Sequence, residues 1–150
     1  MVSDTTLRII RAVKTLLTGR VNEILREDSL DVPIIEFSEY GRHYYGDGYG
    51  AVPMVALSSC ERTEKERIIR LAAYTVTVTF ALPETFESER QCYAYGAAVC
   101  QAVKERPTLG GAVDRAAMTG EKYTPPKKAG CGDNWCVALT LRITVEDRNQ

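Results

Sequence analysis

Histidine is nearly absent from this chain of 150 residues; His43 is the only one. Acid–base and nucleophilic catalysis ordinarily needs a base held by a third group on a rigid scaffold. No nucleophile stands at recognisable spacing from His43, which reads as an exposed loop residue. Cysteine occurs five times, an odd number, without framework spacing, which fits a reducing compartment and not a disulfide scaffold. Cys131 and Cys136 would need two further ligands, Cys60 or His43 for instance, to hold zinc, and their pairing is not repeated. No metal and no cofactor is expected. A charge of one sign is also missing. The net charge is −1 and the pI about 5.9, so the footprint of a free nucleic-acid binder is lacking. No apolar run approaches the roughly 18 residues of a membrane-spanning helix. Met1 to Thr6 lacks a basic stretch followed by an apolar core, so no signal peptide is expected. A phosphate loop is missing as well, because Gly110-Gly111 follows a helix and precedes a strand, the reverse of the phosphate-binding order. Lys122, Lys127 and Lys128 stand beside prolines and read as a solvated loop. Glu84, Glu87 and Glu89 stand at a helix start, where they favour the dipole. No enzyme emerges.

What is present is periodicity. From Trp135 to Val145 every second residue is apolar: Trp135, Val137, Leu139, Leu141, Ile143 and Val145. Cys136, Ala138, Thr140, Arg142 and Thr144 alternate with them. Strict period two predicts a strand with one buried face, roughly 36 Å long, as the spine of the core. A second long strand is expected over Ile69–Leu82. Its apolar phase changes midway, from Ile69 and Leu71 to Tyr74, Val76, Val78, Phe80 and Leu82, which predicts a β-bulge near Ala72–Ala73. Its other face carries Thr75, Thr77 and Thr79, a ladder suited to an exposed or interface-facing surface. Two short strands are expected at Val32–Phe37 and Pro53–Ser58, with Pro33 marking an edge. The charged run Glu61–Arg67 reads as a connection, and Val113–Tyr123 as a weaker strand.

Two helices are expected. In the first, from Asp4 to about Arg26, Leu7, Ile10, Val13, Leu17, Val21 and Ile24 form one stripe. Ser3 or Asp4 can cap it, and Gly19 can end or bend it. The second begins at the capping-box signature Ser88-x-x-Gln91 and runs to about Arg106, stopped by Pro107. Cys92, Tyr95, Val99 and Val103 form its apolar face, Cys92 and Cys100 being read as small core-side hydrophobes. Tyr40–Gly50, with Tyr40, His43, Tyr44, Tyr45 and Tyr49, reads as a long, adaptable interaction loop. Together these elements predict a single α+β domain over 1–150, a mostly antiparallel twisted sheet with the helix at about 88–106 packed on one face.

The order of these elements, the strand R-L-A-A-Y-T-V-T-V-T-F-A-L, the helix end R-P-T-L-G-G-A-V-D and the strand C-V-A-L-T-L-R-I-T-V-E resemble the tail-terminator or head–tail joining proteins of long-tailed bacteriophages. T-L-G-G-x-V, Thr108 to Val113, is the most suggestive piece. The resemblance implies a non-enzymatic structural protein that assembles as a hexameric ring in the bacterial host cytoplasm and resides in the virion tail or neck. Its implied partners are copies of itself, the tail-tube protein and the head connector, with DNA passing through the lumen unbound. Thr75, Thr77, Thr79 and Thr140 would supply an assembly face, and the tyrosine loop would order on docking. A binding module of another system, or a small metal-dependent enzyme using His43 and the cysteines, are the alternatives.

Overall fold

The computed structural model describes residues 5–28, 32–37, 52–65, 69–127 and 132–148. The fold is α+β. Helix α1 (Thr5–Leu16) passes through a π-helical turn (Leu17–Val21) into α2 (Asn22–Glu27). Strands β1 (Met54–Lys65) and β2 (Ile69–Pro83), helix α3 (Ser88–Glu105), and strands β3 (Arg115–Thr124) and β4 (Asn134–Arg148) follow. The four strands form one sheet of order β1-β2-β4-β3, and every neighbouring pair is antiparallel. The helices lie on one face. The loop Tyr40–Gly50 with its tyrosines and His43, the N-terminal Ser3 and Asp4, Lys128 and Cys131 lie outside the described residues.

The two central strands build the core from alternate positions. On β4, Val137, Leu139, Leu141 and Ile143 are fully buried, with Val145 nearly so. Opposite them on β2 stand Phe80, Val78, Val76, Tyr74 and Ala72. The bulge expected near Ala72–Ala73 is not there: β2 pairs with β4 without interruption from Ile69 to Pro83. Ala72 already occupies the core face, so the buried phase is even from that residue on. Leu71 stands on the other face, half-buried. The irregularities fall instead on the edge strands, between Leu57 and Ser59 on β1 and between Met118 and Gly120 on β3. An edge strand has one free side, which can absorb an extra residue without breaking a ladder.

The expected short strands change in opposite ways. Pro53–Ser58 grows into the twelve-residue β1, which runs through the charged stretch as far as Lys65. Charged side chains suit an edge, where they discourage further pairing, so the polarity of Glu61–Lys65 was no barrier to a strand. Val32–Phe37 forms no strand, only an isolated bridge at Ile35. The backbone of Ile35 is held by a side chain: its N–H donates to Asn22 Oδ1 (2.7 Å), and its carbonyl accepts from Asn22 Nδ2 (2.9 Å). Asn22 thereby acts as a strand partner for Ile35, a buried residue whose backbone polar groups must be satisfied.

The predicted weak point at Gly19 is the π-helical turn. A π-turn inserts one residue into the helical repeat without ending the helix. Arg20, inside that turn, reaches α3: its Nε and Nη2 donate to the Glu105 carboxylate (2.6 and 3.1 Å), and Nη1 reaches Glu23 and Glu27. The expected capping box at α3 is replaced by another contact. Ser88 lies at N1, wholly buried, and donates to the Pro83 carbonyl (2.5 Å) while accepting from Thr85 N–H (2.8 Å). It ties the helix start to the end of β2, and Gln91 plays no capping part. Tyr95 stacks on Phe80, with ring centroids 4.4 Å apart, and its hydroxyl donates to the Pro33 carbonyl (2.5 Å).

Helix α3 ends before Pro107 as expected, and the chain reverses through Leu109, Gly110 and Gly111, all with positive φ (49°, 73° and 91°). The glycines adopt this region freely. Leu109 does so because its side chain is drawn into the core, where it is buried.

Candidate assembly surface

The face of the sheet opposite the helices is covered by nothing among the described residues. Register places its side chains in rows. Thr77 stands between Ala56 on β1 and Thr140 on β4, Thr79 between Met54 and Ala138, and Thr75 between Ser59 and Arg142. Ala73 stands between Glu61 and Thr144, and Ala81 beside Cys136. The four threonines singled out from the sequence therefore share one patch over the two central strands, all of them half-buried. The β1 irregularity adds a hydroxyl to it: Ser58 Oγ lies 2.7 Å from Thr77 Oγ1. On the other side Thr119 Oγ1 donates to the Thr140 carbonyl (3.4 Å). Across Ala73–Ala81 and their partners, the charged residues on this face are Glu61 on β1, Arg142 on β4, and Arg115 and Lys122 on β3; Glu146, opposite Leu71, adds another beyond that stretch.

A second feature lies on the helical side, where α3 overhangs the free edge of β3. The space between them is a cleft of about 550 Å³ lined by Tyr93, Ala97, Cys100, Gln101, Lys104, Glu121 and Tyr123. It continues past Cys100 and Lys104 into a smaller hollow of about 270 Å³ over Arg115, Ala116, Ala117 and Met118. Cys100, expected to face the core, lines this cleft half-buried, whereas Cys92 is fully buried. Burial pushes the Cys92 thiol up to about 12, so it is an inert core group. Tyr123 packs edge-on against Tyr93, with centroids 5.0 Å apart, and its hydroxyl donates to Glu121 (2.7 Å). Burial, aided by that bond, raises the Tyr123 phenol above its ordinary range. Gly96 makes the approach possible, because a methyl group there would collide with the Tyr123 hydroxyl.

No family model matches the chain, and no curated protein matches it either.

No group of three or more His, Cys, Asp or Glu among the described residues could hold a metal ion. No helix among them is long and apolar enough to cross a membrane. The cleft, Asn22 and the Arg20 cluster were not anticipated from the sequence. A glycine amid the alanines of an otherwise continuous helix is the one advance signal for the cleft, since it marks a close approach.

Proposed function

We propose that this protein is a structural subunit of a bacteriophage or prophage tail or neck. It assembles into a ring, expected to be hexameric, that caps the tail tube and joins it to the head. The observation that carries this reading is the uncovered face formed by Thr75, Thr77, Thr79 and Thr140. An antiparallel sheet commonly leaves one face to solvent, but such a face is ordinarily dressed with long charged side chains. Here the two central strands carry threonine, alanine and cysteine, with Arg142 the one exception between Ala73 and Ala81 and between Cys136 and Thr144. Short side chains lose little rotamer freedom when covered, and their hydroxyls can exchange water for a partner's hydrogen bonds. The element order and the Thr108–Val113 turn support the same reading by resemblance.

Its partners are then further copies of the chain, the tail-tube protein and the head connector. The near-neutral charge suits a lumen through which DNA slides, because retention follows phosphate neutralisation. The protein resides in the virion tail or neck after assembly in the host cytoplasm and has no catalytic role. Multi-angle light scattering, with and without tail-tube protein, tests this. Rings are expected, and Thr77→Arg, which sets a bulky charge at the centre of the face, should prevent docking while leaving the melting temperature near that of wild type. A strict monomer in both conditions would overturn the reading. A non-enzymatic binding module is the second reading, favoured by the cleft beside α3. It requires that a small apolar ligand protect Tyr93 and Tyr123 from solvent.

A further inference from the structure

Among the described residues both outer strands of the sheet, β1 and β3, have a sheet neighbour on one side alone, and they carry matching irregularities. The core-side positions of β1 are Val55, Leu57, Cys60 and Arg62, spaced by two, three and two residues because of the irregularity at Ser58. Those of β3 are Ala116, Met118, Glu121 and Tyr123, also spaced by two, three and two, because of the irregularity at Thr119. Laid antiparallel, the two strands match throughout: Val55 meets Tyr123, Leu57 meets Glu121, Cys60 meets Met118 and Arg62 meets Ala116. The extra residues face each other, so neither interrupts the ladder. A one-residue slip would destroy the match by sending core-side groups to the other face.

Strand direction permits this pairing. Directions alternate in the order β1-β2-β4-β3, so β1 and β3 run opposite ways. A neighbouring copy, rotated about an axis lying roughly along the strands, therefore presents its β1 antiparallel to the β3 of the first. The core-side occupant also fits the space. Leu57 is 38% exposed, unusual for an edge strand, which is ordinarily protected by charge; Met54, 51% exposed, stands on the opposite face. The cleft under the overhang of α3 is the place that core-side groups of an added strand would enter, between Tyr93, Cys100 and Tyr123. On the opposite face Glu61 of the added strand falls opposite Ala117 and diagonal to Arg115, within reach of a long side chain.

We infer that the ring closes edge to edge, with β1 of one copy adding to β3 of the next and Leu57 entering the cleft beneath α3. The partner is a second copy of this chain, and the contact is heterologous, as a closed ring requires. This inference rests on the ring reading above and specifies its contact. It leaves the threonine face free for the neighbouring tail or neck component.

The match of Leu57 with Glu121 in this register supplies the test. Sedimentation velocity is measured on wild type, Leu57→Asp, and Leu57→Asp combined with Glu121→Lys. Leu57→Asp sets two carboxylates opposite each other and should weaken association at least about tenfold. The double variant replaces that repulsion with an ion pair and should restore rings to near wild-type affinity. Leu57 is partly exposed, so circular dichroism should show both variants folded. Equal association of wild type and Leu57→Asp would overturn the inference, as would a double variant no better than the single one. Rings that persist in Leu57→Asp but are lost in Thr77→Arg would leave the ring reading standing and refute only the edge contact. A wild-type monomer at every concentration, with or without tail-tube protein, would refute both.

Discussion

Gly96→Ala should destabilise this protein, although the same change in an ordinary helix stabilises. Alanine in a helix interior is favoured over glycine by roughly 0.5–1 kcal/mol. Gly96 lies in the ninth position of the eighteen-residue α3, far from either end, so that gain applies in full. Against it stands Tyr123, whose hydroxyl occupies the space the methyl group would take. The ring is not free to swing aside, being packed edge-on against Tyr93 and tied to Glu121. Overpacking of this kind costs about 1–3 kcal/mol. The net expectation is a loss of up to about 2 kcal/mol, or a melting point lower by roughly 2–4 °C per kcal/mol for a chain of this size. Urea unfolding followed by the fluorescence of Trp135, the only tryptophan, measures it. The control is Tyr123→Ala, in which the obstruction is gone and Gly96→Ala should stabilise by about 0.5–1 kcal/mol. The opposed signs in the two backgrounds are the diagnostic result. If Gly96→Ala stabilises wild type, Tyr123 does not hold its place over α3, and the cleft described above is not a fixed feature.

Leu139→Ala removes a wholly buried side chain from the middle of β4 and should cost about 2–5 kcal/mol in urea unfolding. Arg20, chiefly through its hydrogen bonds, holds the Glu105 carboxyl down to about 2 from an ordinary 4.5. A lowered carboxyl stabilises the folded state above its unfolded value, and that contribution disappears as pH falls from about 4.5 toward 2. Glu105→Gln should therefore flatten that part of the melting temperature's acid limb and leave the shape of the curve above pH 5 unchanged. Changing Tyr44, Tyr45 and Tyr49 together to Ser should leave the melting temperature almost unmoved yet impair assembly. A sharp drop would mean that these rings pack in a core.

The strands that cross the middle of the sheet were legible because both of their neighbours are fixed. Val137–Val145 is buried on one side, with Trp135 partly so, and period two follows directly. The bulge was misplaced because Ile69 and Leu71 were counted as core, whereas Ala72, too small to register as an apolar signal, holds the core face. Edge strands have no such discipline. Glu61–Lys65 pairs on one side alone, so backbone bonding to β2 outweighs the polarity that suggested a connection. The apolar content of Val32–Phe37 points to a strand, but Asn22, a buried polar residue of the N-terminal helix, satisfies the backbone of Ile35 instead. The threonine face was readable from alternation. The cleft was legible only as a close approach at Gly96, because its size depends on how far α3 overhangs β3, a tertiary distance.

The two surfaces differ in what they can contribute to an assembly. The threonine face is broad, flat and short of large apolar groups, so covering it would bury little area of the kind that drives association. Hydroxyl pairs can set orientation there, but each net hydrogen bond adds only about 0.5–1.5 kcal/mol. The edges are better placed to hold copies together. Among the described residues they offer strand edges with no sheet neighbour, exposed Leu57 and Met54, and an aromatic cleft. Backbone ladders combined with alternate side chains in pockets are a general mode of strand addition. Under the proposed ring, a division of labour follows, in which edges join copies and the hydroxyl face meets the next layer. On that division Leu57→Asp should weaken ring association at least about tenfold, whereas Thr77→Arg should leave isolated rings intact and block only their docking to the tube. Electron microscopy of the two variants, each mixed with tail-tube protein, separates these outcomes. Loss of isolated rings in Thr77→Arg would reverse the assignment of the two surfaces.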